Sequence, residues 1–200
     1  MRLLRWLVVP LLVLPLGWVM MQGIGRNPRA ISSPLIGQPM PSFVLSAIDG
    51  QRVDSGDLRG RAVIVNFWAS WCFECIAEHR VLLEAQERYG SELVIVGVLY
   101  QDRPQDARAF LARYGDGGWS NLIDGDGSLA IDYGVTGVPE SFFIDPAGVV
   151  RYKQYGAVPW AVVEEQLRQG KTLEDARAGG CSGCVETGAF GKEAYILTGY

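Results

Sequence analysis

An α/β domain, a mixed β-sheet flanked by helices, is the fold class that three features of the sequence predict. Two nearly continuous apolar runs, "RAVIVNFWAS" and "ELVIVGVLY", read as strands buried on both faces. Each is followed by a stretch of helical apolar period. The C-terminal part adds an antiparallel hairpin and one more helix. The order is therefore β-hairpin, βαβα, ββα, which combines parallel and antiparallel pairing.

The chain starts with "MRLLRWLVVPLLVLPLGWVMMQGIGR", where no charge falls between Arg5 and Arg26. From Trp6 to Gly25 it is long enough to cross a hydrocarbon core, which takes about 20 helical residues. Trp6 and Trp18 suit the membrane interfaces, and Pro10 and Pro15 are tolerated in spanning helices. Met20-Met21-Gln22 offers no small-x-small cleavage site, and Gly23-Ile24-Gly25 is a poor one. Residues 1–25 are thus expected to be an uncleaved signal-anchor transmembrane helix. Arg2, Arg5 and the amino terminus outweigh Arg26 and Arg29, so the N-terminus is expected inside and the domain on the exocytoplasmic side.

Asn27 to Pro41 is rich in proline and serine and reads as a linker. The boundaries adopted are 26–35 for the linker, 36–170 for the folded domain and 171–200 for a glycine-rich tail. Within the domain, "FVLSAIDGQRVDSGDL" has two extended runs around Asp49-Gly50, a hairpin signal. After the first buried strand, "CIAEHRVLLEAQERYG" carries apolar residues at Ile76, Val81, Leu82, Leu83 and Ala85, with Gly90 past its end. After the second, "RPQDARAFLARYG" has Pro104 in its first turn. Asp124 to Gly127 reads as a turn rather than a calcium loop, since no glutamate closes it. A short helix is expected from Ser128 to Tyr133. "GVTGVPESFFID" and "VVRYKQYG" form the hairpin, and "PWAVVEEQLRQG" the last helix.

A formal net charge of -4 and the absence of any basic stripe argue against nucleic acid as a partner. The chemistry is concentrated in "FWASWCFECIAEH". A strand ends at Phe67-Trp68 and a helix begins near Cys72. Unpaired N–H groups and the helix dipole there stabilise a thiolate. Cys75 lies one turn on, so the two can close a disulfide, with Cys75 on the less exposed side. Cys72 then attacks a substrate disulfide and Cys75 resolves the product. Zinc ribbon spacing is missing, the one histidine, His79, reads as a satisfied helix residue, and no metal is expected. A structural bridge across so small a loop would constrain the unfolded chain little. Glu74 disfavours thiolate and so biases the pair toward a stronger reductant.

Glu78, one turn after Cys75, is placed either as the acceptor of the Cys75 proton or as an exposed helix carboxylate. Trp71, Phe73 and Val138, neighbours of the two motifs, are expected substrate contacts. The tail holds a second C-x-x-C, Cys181 and Cys184, with no helix behind it. An inert local disulfide, a metal pair completed by another chain, and a shuttle feeding Cys72–Cys75 all remain open for it.

The segment from about Pro34 to Gly170 resembles the thioredoxin superfamily, in its membrane-tethered, extracytoplasmic branch. Within that branch it is most similar to the cytochrome c biogenesis thioredoxins, the CcmG/DsbE family. The pieces that carry the resemblance are "SPLIGQPMPSF", "NFWASWC", "CIAEH" and "GVTGVPESFFID". The resemblance implies a thioredoxin-like sheet with an N-terminal hairpin extension, Cys72 as nucleophile, Cys75 as resolving thiol and Pro139 as a cis-proline opposite them. It also implies Glu78 and Glu140 as acidic residues near the site. Relatives usually carry proline within the dipeptide that is Phe73-Glu74 here, which leaves the potential open.

The implied activity is a periplasmic thiol:disulfide oxidoreductase, anchored in the cytoplasmic membrane, that reduces the Cys-x-x-Cys-His disulfide of apocytochrome c. Its client is an apocytochrome or a cytochrome maturation factor, its electron donor a membrane thiol reductase, and it needs no cofactor. A general membrane-anchored reductase of envelope proteins, an oxidant that inserts disulfides, and a non-catalytic docking module are the alternatives.

Overall fold

The computed structural model describes residues 33–178, together with Pro15, Gly17 and Trp18 near the N-terminus. The chain divides into two units, Met1–Pro34 and Leu35–Tyr200. In the first, Pro15, Gly17 and Trp18 are helical; the rest of the expected anchor lies outside the described residues. Among the described residues no helix is long and apolar enough to cross a membrane. Cys181 and Cys184 also lie outside them.

The second unit begins earlier than a linker ending at Pro41 would allow. The Gly37 amide donates to the Val150 carbonyl and the Met40 amide to Gly148, each at 2.8 Å, so these residues are stitched to the sheet. Strands β1 (Val44–Ser46) and β2 (Arg52–Asp54) then pair antiparallel. Their turn holds Gly50 at φ +89°, which glycine adopts without steric cost. The expected hairpin extension is present.

A five-stranded sheet forms the body: β3 (Ala62–Trp68), β4 (Leu93–Leu99), β5 (Ser120–Ile123), β6 (Glu140–Ile144) and β7 (Val150–Tyr155). Its order is β5-β4-β3-β6-β7. The β3, β4 and β5 strands run parallel, while β6 and β7 are antiparallel to their neighbours. Helices α1 (Phe73–Tyr89), α2 (Pro104–Tyr114), α3 (Ser128–Asp132) and α4 (Trp160–Ala178) complete the unit. The last helix runs past residue 170, the boundary set from sequence.

Side chains alternate between two cores across the sheet. On one face Ile64, Ile95 and Phe143 pack with Leu82 and Ala85 of α1 and Val163 and Leu167 of α4. On the other, Val63, Val65, Phe67 and Phe142 pack with Phe43, Ala47, Leu129 and Tyr133. A third cluster lies where β3 and β4 end: Trp68, Ala69, Leu99, Ala107 and Phe110 surround Cys72 and Cys75. The redox pair is thus built into packed structure at the carboxyl ends of the central strands.

Strand β5 was not expected from sequence. It is four residues long and half polar, and it is held between β4 on one side and, on the other, an antiparallel bridge from Ala47 to Leu122. Asn121 on β5 accepts a hydrogen bond from the Trp68 indole at 3.0 Å. That bond passes over Gly97 of β4, where a Cβ would stand 2.3 Å from Asn121 Oδ1 and 2.8 Å from Trp68 Nε1. Only glycine leaves room. The turn at Asp124 is as expected, and its carboxylate accepts from the amides of Leu129 and Ala130, capping α3.

Candidate active site

β3 ends at Trp68, a short turn follows, and Cys72 is the N-cap of α1 with extended backbone at φ -86° and ψ 115°. Its sulfur accepts a hydrogen bond from the Cys75 amide at 3.1 Å. One of the first-turn N–H groups that a helix leaves unpaired is therefore aimed at Sγ. Cys72 and Cys75 are joined in a disulfide with Cα atoms 5.3 Å apart. On reduction, the same amide and the helix dipole favour a thiolate on Cys72. The turn is fastened by the loop after β4: the amide and hydroxyl of Ser70 donate to the Asp102 carboxylate at 2.6 and 3.1 Å. The neighbouring Gln101 holds φ +49°, a left-handed conformation uncommon outside glycine.

Exposure divides the motif sharply. Cys75 is 2% exposed and Cys72 6%, whereas Trp71 and Phe73 are 61% and 86% exposed. Cys75 is the less exposed residue of the pair, as expected. Two aromatics standing in solvent beside a disulfide make an apolar surface of the kind that meets another polypeptide. Two open grooves, of about 460 and 410 Å³, lie elsewhere, against Tyr89 and Leu167, and none of these residues lines them.

Glu78 belongs to the buried stripe of α1, with Cys75, His79, Leu82 and Ala85. The exposed-carboxylate reading is corrected: Glu78 is 1% exposed. Its carboxylate accepts from Asn66 Nδ2 at 2.8 Å, Ser141 Oγ at 3.0 Å and the Val158 amide at 3.2 Å. These donors come from β3, β6 and the start of the last helical connection, and none is charged. Burial wins over them and pushes the pKa up to about 7, with the nearby Glu74 charge adding to the rise. His79 is likewise satisfied within the fold, its Nε2 donating to the Gly115 carbonyl at 2.7 Å.

The second motif supplies the other wall. The Val138–Pro139 peptide bond is cis, and Val138 packs against the cluster that contains Cys72 and Cys75. Among the described residues the amide and carbonyl of Val138 make no hydrogen bond, while the Pro139 carbonyl accepts from Gly156 at 2.9 Å. Glu140 is 2% exposed. It pairs with Lys153 Nζ at 2.9 Å and accepts from the Thr136 hydroxyl at 2.6 Å. A carboxylate held this way presents no surface to a client; what it holds is the loop before Pro139.

The redoxin family profile matches residues 35–169 of this chain. The thiol:disulfide interchange protein DsbE of Pseudomonas fluorescens biotype C is 38% identical over 166 residues, 82% of this chain and 92% of that protein. The protein of the same name from Escherichia coli strain K12 is 40% identical over 149 residues, 72% and 78% of the two chains. The crystal structure of a protein assigned as DsbE from Chlorobium tepidum matches with a TM-score of 0.63 at 30% identity, covering 68% of this chain and 96% of that one. The chain belongs to the DsbE family of redoxins. It is a thiol:disulfide oxidoreductase on a thioredoxin-like fold.

In this redoxin the structure brings Trp71, Cys72, Phe73 and Cys75 together with Val138 and the cis-Pro139. Glu78 and Glu140 lie behind that surface rather than on it. Sequence reasoning missed Asn66, Ser141 and Lys153, which hold the two carboxylates. Asn66 did leave a signal: a single amide inside "VIVNFW" of a strand buried on both faces must find a partner. Ser141 and Lys153 left none, because a serine two residues after a proline and a lysine in a polar hairpin strand both read as solvent-facing.

Proposed function

We propose that this redoxin is a periplasmic reductant of cytochrome c maturation. In this reading residues 1–25 anchor it in the cytoplasmic membrane, and a membrane thiol reductase supplies its electrons. Its client is an apocytochrome, or a maturation factor, carrying an oxidised Cys-x-x-Cys-His. The observation that carries the reading is the disulfide at a helix N-cap, bordered by exposed Trp71 and Phe73 and by the unpaired main chain of Val138. An extended peptide can bond to that main chain and lie over the sulfurs. The DsbE relatives narrow the choice among such enzymes.

The exchange follows from the geometry. With the pair reduced, the Cys72 thiolate attacks one sulfur of the client disulfide. A bond forms between Cys72 and that sulfur, and the other client sulfur leaves as a thiolate that takes up a proton. Cys75 then loses its proton, attacks Cys72 Sγ and expels the second client thiolate, which takes up a proton from solvent. The client has gained two electrons and two protons, and Cys72–Cys75 is left as a disulfide. Glu78, one turn from Cys75 and with a pKa of about 7, is suited to take the Cys75 proton, directly or through water. The haem later attached belongs to the client, so no cofactor enters these steps.

The test is capture with Cys75→Ser, which removes the resolving attack. A mixed disulfide through Cys72 should accumulate and contain an apocytochrome or a maturation factor. Trapped proteins drawn from the general envelope pool, with neither of these among them, would favour the broader reductase.

A further inference from the structure

We propose that Lys153 is a positioning residue of this enzyme, whose buried ammonium latches the client-docking loop beside the cis-proline. Lys153 sits on β7 opposite Phe142 of β6, and Glu140 lies two residues from Phe142 on the same face of the sheet. Its side chain is 2% exposed, and that of Glu140 is 3%. Nζ reaches the Glu140 carboxylate at 2.9 Å and the Gly134 carbonyl at 2.8 Å. It also stands 4.9 Å from the centroid of the Phe142 ring and 4.4 Å from that of Tyr155. The ammonium has exchanged water for one counterion, one carbonyl and two aromatic faces.

The partners of this latch lie along one short segment. Gly134 ends α3 in the left-handed conformation, at φ +61°, with its amide bonded to the Ile131 carbonyl. Its own carbonyl is held by Lys153. Two residues on, the amide and hydroxyl of Thr136 donate to Glu140 Oε1 at 3.2 and 2.6 Å. Both bonds therefore end on the Glu140–Lys153 pair, and the segment they fix carries Val138 and cis-Pro139. Removing the Lys153 charge frees the Gly134 carbonyl and strands the Glu140 carboxylate without a counterion, so both fastenings loosen together. Cys72 and the helix N-cap that activates it lie on other elements and keep their own bonds. The latch thus serves docking of a polypeptide over Val138 more than the reactivity of the sulfur.

This rests on the enzyme acting on a polypeptide disulfide, and the experiment separates the two claims. The full chain, wild type and Lys153→Met, is reacted in its reduced form with a synthetic oxidised Cys-x-x-Cys-His peptide and with a small aliphatic disulfide whose leaving thiol matches a cysteine's and which needs no docking. The wild type should reduce the peptide faster than the small disulfide; if it does not, the polypeptide reading and the latch built on it both fall. Given that preference, Lys153→Met should slow peptide exchange about tenfold and change small-disulfide exchange less than twofold. Equal losses on both substrates, or no loss on either, would overturn the latch alone. Should Lys153→Met not fold, Lys153→Met with Glu140→Gln removes both buried charges and leaves Gly134 unfastened. The same split between substrates is expected of it, and its absence would overturn the proposal.

Discussion

Two buried carboxylates stand behind the redox surface, and they are solved differently. Glu78 and Glu140 are equally withdrawn from water, at 1% and 2% exposure. Glu78 is met by an amide, a hydroxyl and a main-chain N–H, all neutral. Glu140 is met by an ammonium. Neutral donors cannot offset the loss of hydration of a full charge, so Glu78 holds its proton up to about pH 7. A counterion at 2.9 Å gives Glu140 a fixed ion pair instead. Burial alone therefore does not say what a carboxylate is for; its partner does. One pocket makes a group that can exchange a proton near neutrality, and the other makes a structural tie.

The same isosteric change should consequently have opposite signs at the two sites. Glu140→Gln leaves the Lys153 ammonium buried without a counterion and should destabilise the domain by about 4 kcal/mol. Denaturant unfolding at pH 7 measures this, with the fold retained and peptide exchange slowed. An unchanged midpoint would mean that the pair contributes nothing net.

Glu78→Gln should stabilise the domain at pH 8 by up to about 3 kcal/mol, because an ionised carboxylate no longer has to be buried. The sign follows from linkage. The folded-state pKa, about 7, lies above the unfolded value of 4.5, so the native state binds more protons between them. Wild-type stability should fall as pH rises from 4.5 to 7, and Glu78→Gln should flatten that slope. The variant should also slow the Cys75 resolving step by about tenfold or more if the carboxylate takes its proton. Flat wild-type stability across this range would remove the basis for a neutral Glu78.

The smallest effect is expected at Glu74, which is exposed and lies between the two cysteines in sequence. Glu74→Gln removes a charge that raises the Glu78 pKa, so that pKa should fall. It also removes repulsion from the thiolates of the reduced pair. At a separation near ~6 Å and an effective dielectric near ~40 this repulsion is about 1.4 kcal/mol, on the order of 30 mV for two electrons. The reduction potential should therefore rise, making a weaker reductant, and the shift should shrink in salt. A fall in potential on equilibration with glutathione would contradict the assigned sign.

Local pattern was enough for everything that depends on neighbours in the chain. The nearly unbroken apolar character and the length of "RAVIVNFWAS" and "ELVIVGVLY" specified two buried strands, because a strand covered on both faces has no polar side to show. The strand-turn-helix context specified Cys72 at an N-cap and Cys75 one turn further on, since helix geometry alone sets that spacing. The proline before "ESFFI" marked the strand start and, through the family resemblance, the cis bond.

Contacts between distant segments were settled only by the tertiary structure. Strand β5 is held between β4 and the bridge from Ala47, and Glu78 turned from a surface candidate into a buried acid because β3, β6 and the α4 connection close over it. Lys153 became part of the site because β7 folds back beside β6. A charged residue in an amphipathic pattern reads as solvent-facing, since exposure is its lowest-energy state when nothing distant is counted. What places it inside is a partner brought from far along the chain, and that partner exists only once the fold does.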